Sequence, residues 1–167
     1  VSMKFVLFKK SLEEGVAPIY LFDGEEEYFK ERGEAMLKEK FLGEPSLNYT
    51  TFSGENLKGG DISELVRAAE SFPFMSEKRI VKATDFYPTE REYDAYLKNY
   101  FENPQASTIL LIVNSRAPKG KAADLKKIKT VTHVDCSKAD DETVIRWIYT
   151  QFKRAGVEID AECCERI

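Results

Sequence analysis

From residue 18 onward, short apolar runs alternate with longer segments in which apolar residues recur at helical spacing. Short apolar runs bounded by turn residues are typical of buried strands, and a spacing of three to four indicates helices with one buried face. Their alternation favours an α/β domain with a mostly parallel sheet. We predict five strands, at residues 18–24, 47–54, 78–85, 107–114 and 130–135.

A helix is predicted in each gap between these strands, at residues 25–42, 61–71, 91–103 and 119–129. The first begins with Glu25, Glu26 and Glu27, whose charges suit the positive end of the helix dipole. The second begins with Asp61 and Glu64 in the spacing of a capping box.

The pattern changes after residue 135. Residues 139–156 begin with acids, carry apolar residues at helical spacing and end in basic residues and Gly156, which predicts a helix. The segment "DAECCERI" at residues 160–167 begins a further helix. We therefore predict an α/β domain at residues 1–138 and the start of a helical domain at residues 139–167, and we expect the sequence to be a piece of a longer protein.

Composition narrows the class of protein. The chain of 167 residues is 43% hydrophobic and 32% charged, with a net charge of -4. These values are typical of a globular domain and exclude both a disordered chain and a strongly basic nucleic-acid binder. No apolar run approaches the roughly 20 residues that cross a bilayer, and the first residues lack the apolar core of a signal peptide. We expect a cytoplasmic protein.

Cysteine and histidine suggest neither a metal site nor a nucleophile. Cys136, Cys163 and Cys164 are odd in number and two are adjacent, so they predict reduced thiols and not a disulfide framework or a metal knuckle. The single histidine, His133, lies in an alternating stretch, which favours a strand position. With one histidine, most nucleophile and base pairs lose their usual partner.

The first strand leads into a helix where a phosphate-binding loop would lie. The template G-x-x-x-x-G-K-[ST] falls on Gly24, Phe29, Lys30 and Glu31. The lysine is in register, but phenylalanine replaces the second glycine and glutamate replaces the hydroxyl that holds magnesium. The three acids that open the helix compete for the amides that would bind an anion. We predict a degenerate site that binds no nucleotide; the alternative is a working P-loop NTPase.

Two polar residues end later strands of the same predicted sheet. Asp85 lies roughly where a magnesium-binding aspartate would follow the third strand, but Phe86 and not a second acid comes next. Asn114 ends the fourth strand, where a phosphate sensor or a simple turn residue would fit. Together they predict a nucleotide-binding scaffold without catalytic residues.

The stretch "SFPFMSEKRI" places large apolar residues between a helix and a strand. We call Phe72, Pro73, Phe74 and Met75 the apolar tip. Pro73 disfavours a helical Phe72, so the helix must end near Ser71 and Phe72 can still pack beneath it. One interpretation is that the tip covers the edge of the sheet. The other is that it is exposed and binds another protein, because clustered apolar residues at a surface mark interaction sites.

Several stretches resemble one known family: "PIYLFDGEEEYFKE", "NYTTFSGEN", "AAESFPFMSEKRIV", "LKNYFENPQASTILLIVN" and "IRWIYTQFKRAGVEIDAE". Together they are similar to the N-terminal half of the delta subunit of bacterial DNA polymerase III, the clamp-loader subunit that binds and opens the sliding clamp. The resemblance covers nearly all of the chain from Pro18 onward.

The resemblance implies an AAA+-like P-loop NTPase fold with a degenerate nucleotide site, a small helical lid domain and no cofactor. It implies that the apolar tip enters a hydrophobic pocket of the beta sliding clamp, with Phe72 and Phe74 as the two anchors and Met75 helping to fill the pocket. The gamma/tau and delta prime subunits would bind through a missing C-terminal domain. No intrinsic catalysis is implied, and nucleotidyltransferase activity belongs to the polymerase as a whole.

A second alternative is a DNA-binding module in the lysine-rich stretch at residues 119–129. A lysine-rich face can hold phosphates, although it is usually only a solvated surface. The residues proposed for contact with primed DNA are Lys119, Lys121, Lys126 and Lys127.

Overall fold

The computed structural model describes residues 1–43, 45–138, 141–154 and 156. Its strands form one parallel sheet in the order β1-β6-β2-β5-β4-β3. The strands are β1 (Ser2–Lys4), β2 (Ile19–Asp23), β3 (Tyr49–Ser53), β4 (Arg79–Thr84), β5 (Thr108–Asn114) and β6 (Val131–Asp135).

Helices lie between these strands and after the last of them. They are α1 (Phe8–Glu14), α2 (Glu27–Phe41), α3 (Pro45–Asn48), α4 (Ile62–Glu70), α5 (Glu90–Glu92), α6 (Lys98–Glu102) and α7 (Asp141–Arg154). A π-helical turn, Tyr93–Leu97, joins α5 to α6. Short 3-10 turns occur at Phe5–Leu7, Gly54–Asn56, Gly59–Asp61 and Leu125–Lys127.

Both faces of the sheet are covered. Alternate residues of a strand point to opposite sides, so each strand contributes side chains to two cores. In β2, Ile19 and Leu21 belong to a core that also contains Leu65 of α4 and Phe101 of α6. Their neighbours Tyr20 and Phe22 belong to a second core with residues of α1 and α2. Every residue of β5 is buried. The α/β architecture with a parallel sheet is as predicted.

The sheet has six strands within the described residues, and the prediction of five was wrong. The extra strand, β1, is three residues long and pairs with β6, so that Ser2 lies opposite His133. Three residues are too few to show a period of two, and the pairing joins positions 131 apart in sequence. Local pattern could not reveal it.

The helix predicted at residues 119–129 does not form; only Leu125–Lys127 makes a 3-10 turn there. The polar main-chain groups of this stretch instead bond to a distant segment. Glu90 N–H donates to the carbonyl of Lys121, and Ala123 N–H donates to that of Pro88. Gly120, with a φ of 63°, also breaks a helical path. Tertiary hydrogen bonds therefore override the local helical pattern.

The predicted capping box at Asp61 and Glu64 is absent as well. Asp61 already has helical dihedrals and its side chain makes no capping hydrogen bond, because the preceding 3-10 turn leads directly into α4. A capping box does form at the start of α5, where Thr89 and Glu92 exchange hydrogen bonds.

The chain divides into two compact units, Val1–Cys136 and Ser137–Ile167. In the second unit the predicted helix is present as α7, in which Trp147 and Tyr149 are exposed. The further helix predicted at residues 160–167 and the thiols of Cys163 and Cys164 lie outside the described residues. Among the helices that the structure describes, none is long and apolar enough to span a membrane.

Candidate functional site

The apolar tip follows α4 and precedes β4, and its large side chains point into solvent. Phe72 is 77% exposed, Phe74 59% and Met75 80%. Ser71 ends α4 with an extended backbone, so the helix stops before Phe72, the residue that Pro73 disfavours in a helix. Phe72 does not pack beneath the helix, which corrects that part of the prediction, because the extended Ser71 carries it away from α4. The interpretation of the tip as cover for the sheet is also wrong.

The main chain of the tip is nevertheless held firmly. Asn48 is fully buried at the end of α3. Its Oδ1 accepts a hydrogen bond from Phe74 N–H at 2.6 Å, and its Nδ2 donates to the carbonyl of Phe74 at 2.7 Å. One carboxamide thus binds both polar main-chain groups of Phe74, as the peptide of a neighbouring strand would.

The residues after Phe74 are fixed as well. Met75 has a φ of 49°, in the left-handed region that non-glycine residues rarely adopt. The hydroxyl of Ser76 donates to the carbonyl of Phe41 at 3.0 Å and accepts from Gly43 N–H at 3.1 Å. The strained residue is therefore flanked on both sides by hydrogen bonds to neighbouring segments, which is the condition under which such strain persists.

A charged network secures the strand that follows Asn48. Glu34 of α2 accepts hydrogen bonds from Tyr49 at 2.5 Å and Lys82 at 2.6 Å, and it pairs with Lys38 at 2.7 Å. The Lys38 ammonium also lies 3.8 Å from the centre of the Tyr49 ring. Burial by itself raises the pKa of Glu34, but the hydrogen bonds from Lys38, Lys82 and Tyr49 outweigh it and lower the pKa to about 2. The network joins α2 to β3 and β4.

At the opposite, carboxyl edge of the sheet lies the segment that the phosphate-loop template matches. The Lys30 side chain is only 3% exposed, and its ammonium pairs with Glu27 at 2.5 Å. Phe29 stacks on Phe5 with ring centres 4.6 Å apart. Glu31 is exposed on α2. Lys30, the template's phosphate ligand, is thus turned into the protein and neutralised by one of the acids at the helix start.

The main chain at this helix start is also occupied. Gly24 takes a φ of 127°, where a side chain would be strained. Glu26 N–H donates to the carbonyl of Cys136 at 3.0 Å, and Tyr28 N–H donates to the Glu26 carboxylate at 3.3 Å. These amides, which a phosphate loop would present to an anion, already have acceptors within the protein.

Asp85 and Asn114 do lie at this edge, but both bind the protein's own backbone. Asp85 Oδ1 accepts hydrogen bonds from the main-chain N–H and the hydroxyl of Ser115, at 2.9 and 2.6 Å. Burial alone raises the pKa of Asp85, while the bonds from Ser115 lower it below its ordinary value. Asn114 binds both the N–H and the carbonyl of Phe86, at 2.9 and 3.1 Å. Both side chains secure turns.

His133 lies in β6, as predicted, and belongs to a cluster of polar side chains beneath the carboxyl edge of the sheet. Its Nδ1 lies 2.7 Å from the Ser2 hydroxyl, and its Nε2 lies 2.5 Å from Asp23 Oδ1. Lys126 also pairs with Asp23, at 2.5 Å. Burial of Asp23 raises its pKa, but hydrogen bonds from His133 and Lys126 bring it below the ordinary value.

The lysines proposed for DNA contact differ in their surroundings, although all four are exposed. Lys126 is paired with Asp23, and Lys127 lies 3.2 Å from Asp124. Within the described part of the chain, no acidic group forms an ion pair with Lys119 or Lys121. Two of the four charges are therefore already balanced.

In the described ranges, no group of three or more histidine, cysteine or acidic side chains is arranged to hold a metal ion. Cys136 is buried, and burial raises the pKa of its thiol to about 12. A thiol with so high a pKa is a poor nucleophile.

The family model described as DNA polymerase III, delta subunit, matches residues 20–137. The chain belongs to this family. Members of this family are clamp-loader subunits of DNA polymerase III and belong to DNA replication. The chain is 27% identical over 128 residues to DNA polymerase III subunit delta of Bacillus subtilis, aligned over 71% of this chain and 36% of that protein.

Solved structures show the same fold. The DNA clamp loader delta protein YqeN of Bacillus subtilis matches with a TM-score of 0.73 and 21% identity, over 97% of this chain and 51% of that one. A DNA polymerase III gamma subunit-related protein of Thermotoga maritima matches with a TM-score of 0.54 and 15% identity, over 97% and 57%. This chain thus spans about half the length of these relatives, and its fold is AAA+-like.

Sequence reasoning found the apolar tip but missed its support. Asn48 was predicted to lie in a strand at residues 47–54, whereas it ends the short helix α3. Nothing in the sequence relates Asn48 to Phe74, which lies 26 residues later. Its place at the start of a predicted strand gave Asn48 no special role, so no local pattern distinguished it.

Proposed function

We propose that this delta-family chain binds the beta sliding clamp through the apolar tip and helps to open the clamp for loading onto primed DNA. Phe72 and Phe74 are the anchors that enter an apolar pocket on the clamp, Pro73 stiffens the chain between them, and Met75 fills the remaining space. The observation that carries this proposal is the exposure of three large apolar side chains on a connection whose backbone is fixed.

The energetics are adequate for this role. Full burial of a phenylalanine side chain contributes about 1.5–3 kcal/mol, so two anchors supply several kcal/mol. A binding surface concentrated in a few aromatic residues is typical of protein interfaces. A fixed backbone reduces the entropy lost on binding, because the tip does not have to be ordered by its partner.

Opening the clamp requires no bond chemistry from this chain. If the tip binds the clamp more tightly when one subunit interface of the clamp is open, binding shifts the equilibrium between closed and open clamp towards the open ring. Each tenfold preference for the open form contributes about 1.4 kcal/mol to that shift. ATP acts through other loader subunits, which control access to the tip. The gamma/tau and delta prime subunits join through the C-terminal part of the protein, beyond this chain.

A titration against the sliding clamp of the same organism tests the proposal. Phe74→Ala is expected to weaken binding by roughly 2 kcal/mol or more, about thirtyfold, and Phe72→Ala to weaken it as well. Tyr28→Ala is the matched control, because Tyr28 is also an exposed aromatic residue but lies at the start of α2. Affinity that is unchanged in both phenylalanine variants would overturn the proposal.

The same variants separate binding from stability. Because Phe72 and Phe74 are exposed, their replacement should change the free energy of unfolding by no more than about 0.5 kcal/mol. Phe101→Ala, at a fully buried position, should cost about 3–5 kcal/mol. A weakened clamp affinity in a fully stable variant then assigns the loss to the binding surface itself.

A further inference from the structure

Two asparagines in this protein hold two phenylalanines by the same pair of hydrogen bonds. Asn48 binds the N–H and carbonyl of Phe74, and Asn114 binds the N–H and carbonyl of Phe86. Both asparagines are buried. Each therefore acts as a substitute peptide group for the phenylalanine beside it.

The two phenylalanines differ in what their rings contact. Phe86 is 1% exposed, and its ring belongs to the core between the sheet and α4. Packing would hold that ring in place even if the hydrogen bonds were lost. Phe74 is 59% exposed, so packing constrains its ring far less than that of Phe86. Its orientation depends on the main chain, and Asn48 fixes the main chain.

Burial of Asn48 makes this tether strong. A buried carboxamide that lost its partners would leave unsatisfied polar atoms away from water, so the two bonds to Phe74 are retained together. The bonds of Ser76 to Phe41 and Gly43 hold the other side of Met75. The backbone of the tip is thus ordered before any partner arrives.

We propose that Asn48 is a positioning residue of the clamp-binding surface, which orders the Phe74 backbone in the free protein and aims its ring outward. The inference rests on the proposed function of the apolar tip. Ordering the backbone of one residue costs about 1–2 kcal/mol. If Asn48 meets that cost in advance, its loss should weaken clamp binding roughly fivefold to thirtyfold, although Asn48 itself is buried.

The first test is hydrogen exchange at the Phe74 amide. In the unmodified free chain this amide is expected to exchange far more slowly than an unstructured amide, because Asn48 Oδ1 accepts its proton. Asn48→Ala should accelerate that exchange while the amide of Ile80 in β4 stays protected. Exchange of the Phe74 amide at the unstructured rate in the unmodified chain would overturn the inference without any variant.

The second test is clamp affinity, measured at a temperature at which circular dichroism shows each variant to be folded. Asn48→Ala removes both hydrogen bonds, and Asn48→Asp keeps the acceptor for Phe74 N–H but loses the donor to its carbonyl. Both should weaken binding, the alanine variant more. Asn114→Ala is the matched control, since it removes the same two bonds from Phe86 and should lower stability without changing affinity.

A double variant separates positioning from general damage. If Asn48 acts through Phe74, then Asn48→Ala should weaken binding much less in the Phe74→Ala background than alone. Unchanged affinity in folded Asn48→Ala and Asn48→Asp, while Phe74→Ala binds weakly, would overturn this inference and leave the proposed function intact. Unchanged affinity in Phe74→Ala and Phe72→Ala would overturn the proposed function itself.

Discussion

The ammonium nitrogen of Lys30 lies 2.5 Å from Oε1 of Glu27, one turn earlier in α2, and the lysine is almost completely buried. In a working phosphate loop the equivalent lysine reaches the phosphates of a bound nucleotide. Here it faces the protein interior and its charge is balanced. The nearby amides of Glu26 and Tyr28 are also bonded within the chain.

We therefore expect a calorimetric titration of the chain with MgATP to give no binding heat. Binding would require Lys30 to leave its partner and would bring phosphates beside Glu25, Glu26 and Glu27. A thermal melt in the presence of millimolar MgATP should likewise be unshifted, since a ligand at a hundred times its Kd adds about 2.7 kcal/mol of stability. A saturable heat signal would contradict this and favour the P-loop NTPase alternative.

The low pKa of Glu34 predicts a specific dependence of stability on pH. The pKa falls from its ordinary 4.5 to about 2 in the folded protein. Because the folded pKa is depressed, the stabilisation is complete above about pH 4.5 and is lost as the pH falls towards 2. Its magnitude is on the order of 3 kcal/mol.

Urea unfolding at pH 6, 4, 3 and 2 measures this effect. Between pH 5 and 2, Glu34→Gln should lose less stability than the unmodified chain, because one shifted carboxyl no longer titrates. Glu39→Gln is the control, since Glu39 is largely exposed and makes only a surface pair with Arg32. Parallel pH profiles for Glu34→Gln and the unmodified chain would show that the network does not lower this pKa.

Gly54 marks a close approach between two loops at the carboxyl edge of the sheet. A Cβ atom at Gly54 would lie 2.1 Å from the carbonyl oxygen of Asp85, a main-chain atom that cannot easily move. We expect Gly54→Ala to lower the free energy of unfolding by about 1–3 kcal/mol or more. Gly60 provides the control, because a Cβ there would meet nothing within 4 Å. Equal urea midpoints for the two variants would contradict this packing.

The lysine-rich stretch gives a prediction about DNA. If its lysines contact primed DNA, Lys119 and Lys121 should contribute most, because Lys126 and Lys127 are already paired with acids. Replacing Lys119 and Lys121 together by alanine should then reduce the slope of log K against log salt by about 1.4–1.8, and the same change at Lys126 and Lys127 should reduce it less. Fluorescence anisotropy at several salt concentrations measures the slope. Binding that does not depend on salt would argue against a DNA contact.

The sequence predicted the elements that carry a long local signal. The buried run of β5 and the amphipathic face of α4 are visible because each repeats a period over many residues. Pro73 predicted the end of α4 for a similar reason, since its effect on Phe72 is local. Elements that depend on distant partners were not predicted. Strand β1 pairs with β6, and the main chain at Lys121 and Ala123 bonds to Glu90 and Pro88 at the start of α5 instead of forming a helix.

The same distinction holds for the candidate site. The composition of the apolar tip was evident, but the outward direction of Phe72 and the role of Asn48 were not. Both depend on how segments separated by tens of residues meet. Template matching likewise identified Lys30 by position but could not show that Glu27 and the surrounding fold bury its charge.

Among the residues that the structure describes, the hydrogen bonds that hold the apolar tip are made by its backbone and by the hydroxyl of Ser76, and not by the apolar side chains at positions 72, 74 and 75. The shape of the loop and its chemical identity are therefore encoded by separate residues. Substitutions at positions 72, 74 and 75 can therefore follow changes in the partner's surface while the supporting hydrogen bonds are kept. Other recognition sequences could be engineered onto the same backbone.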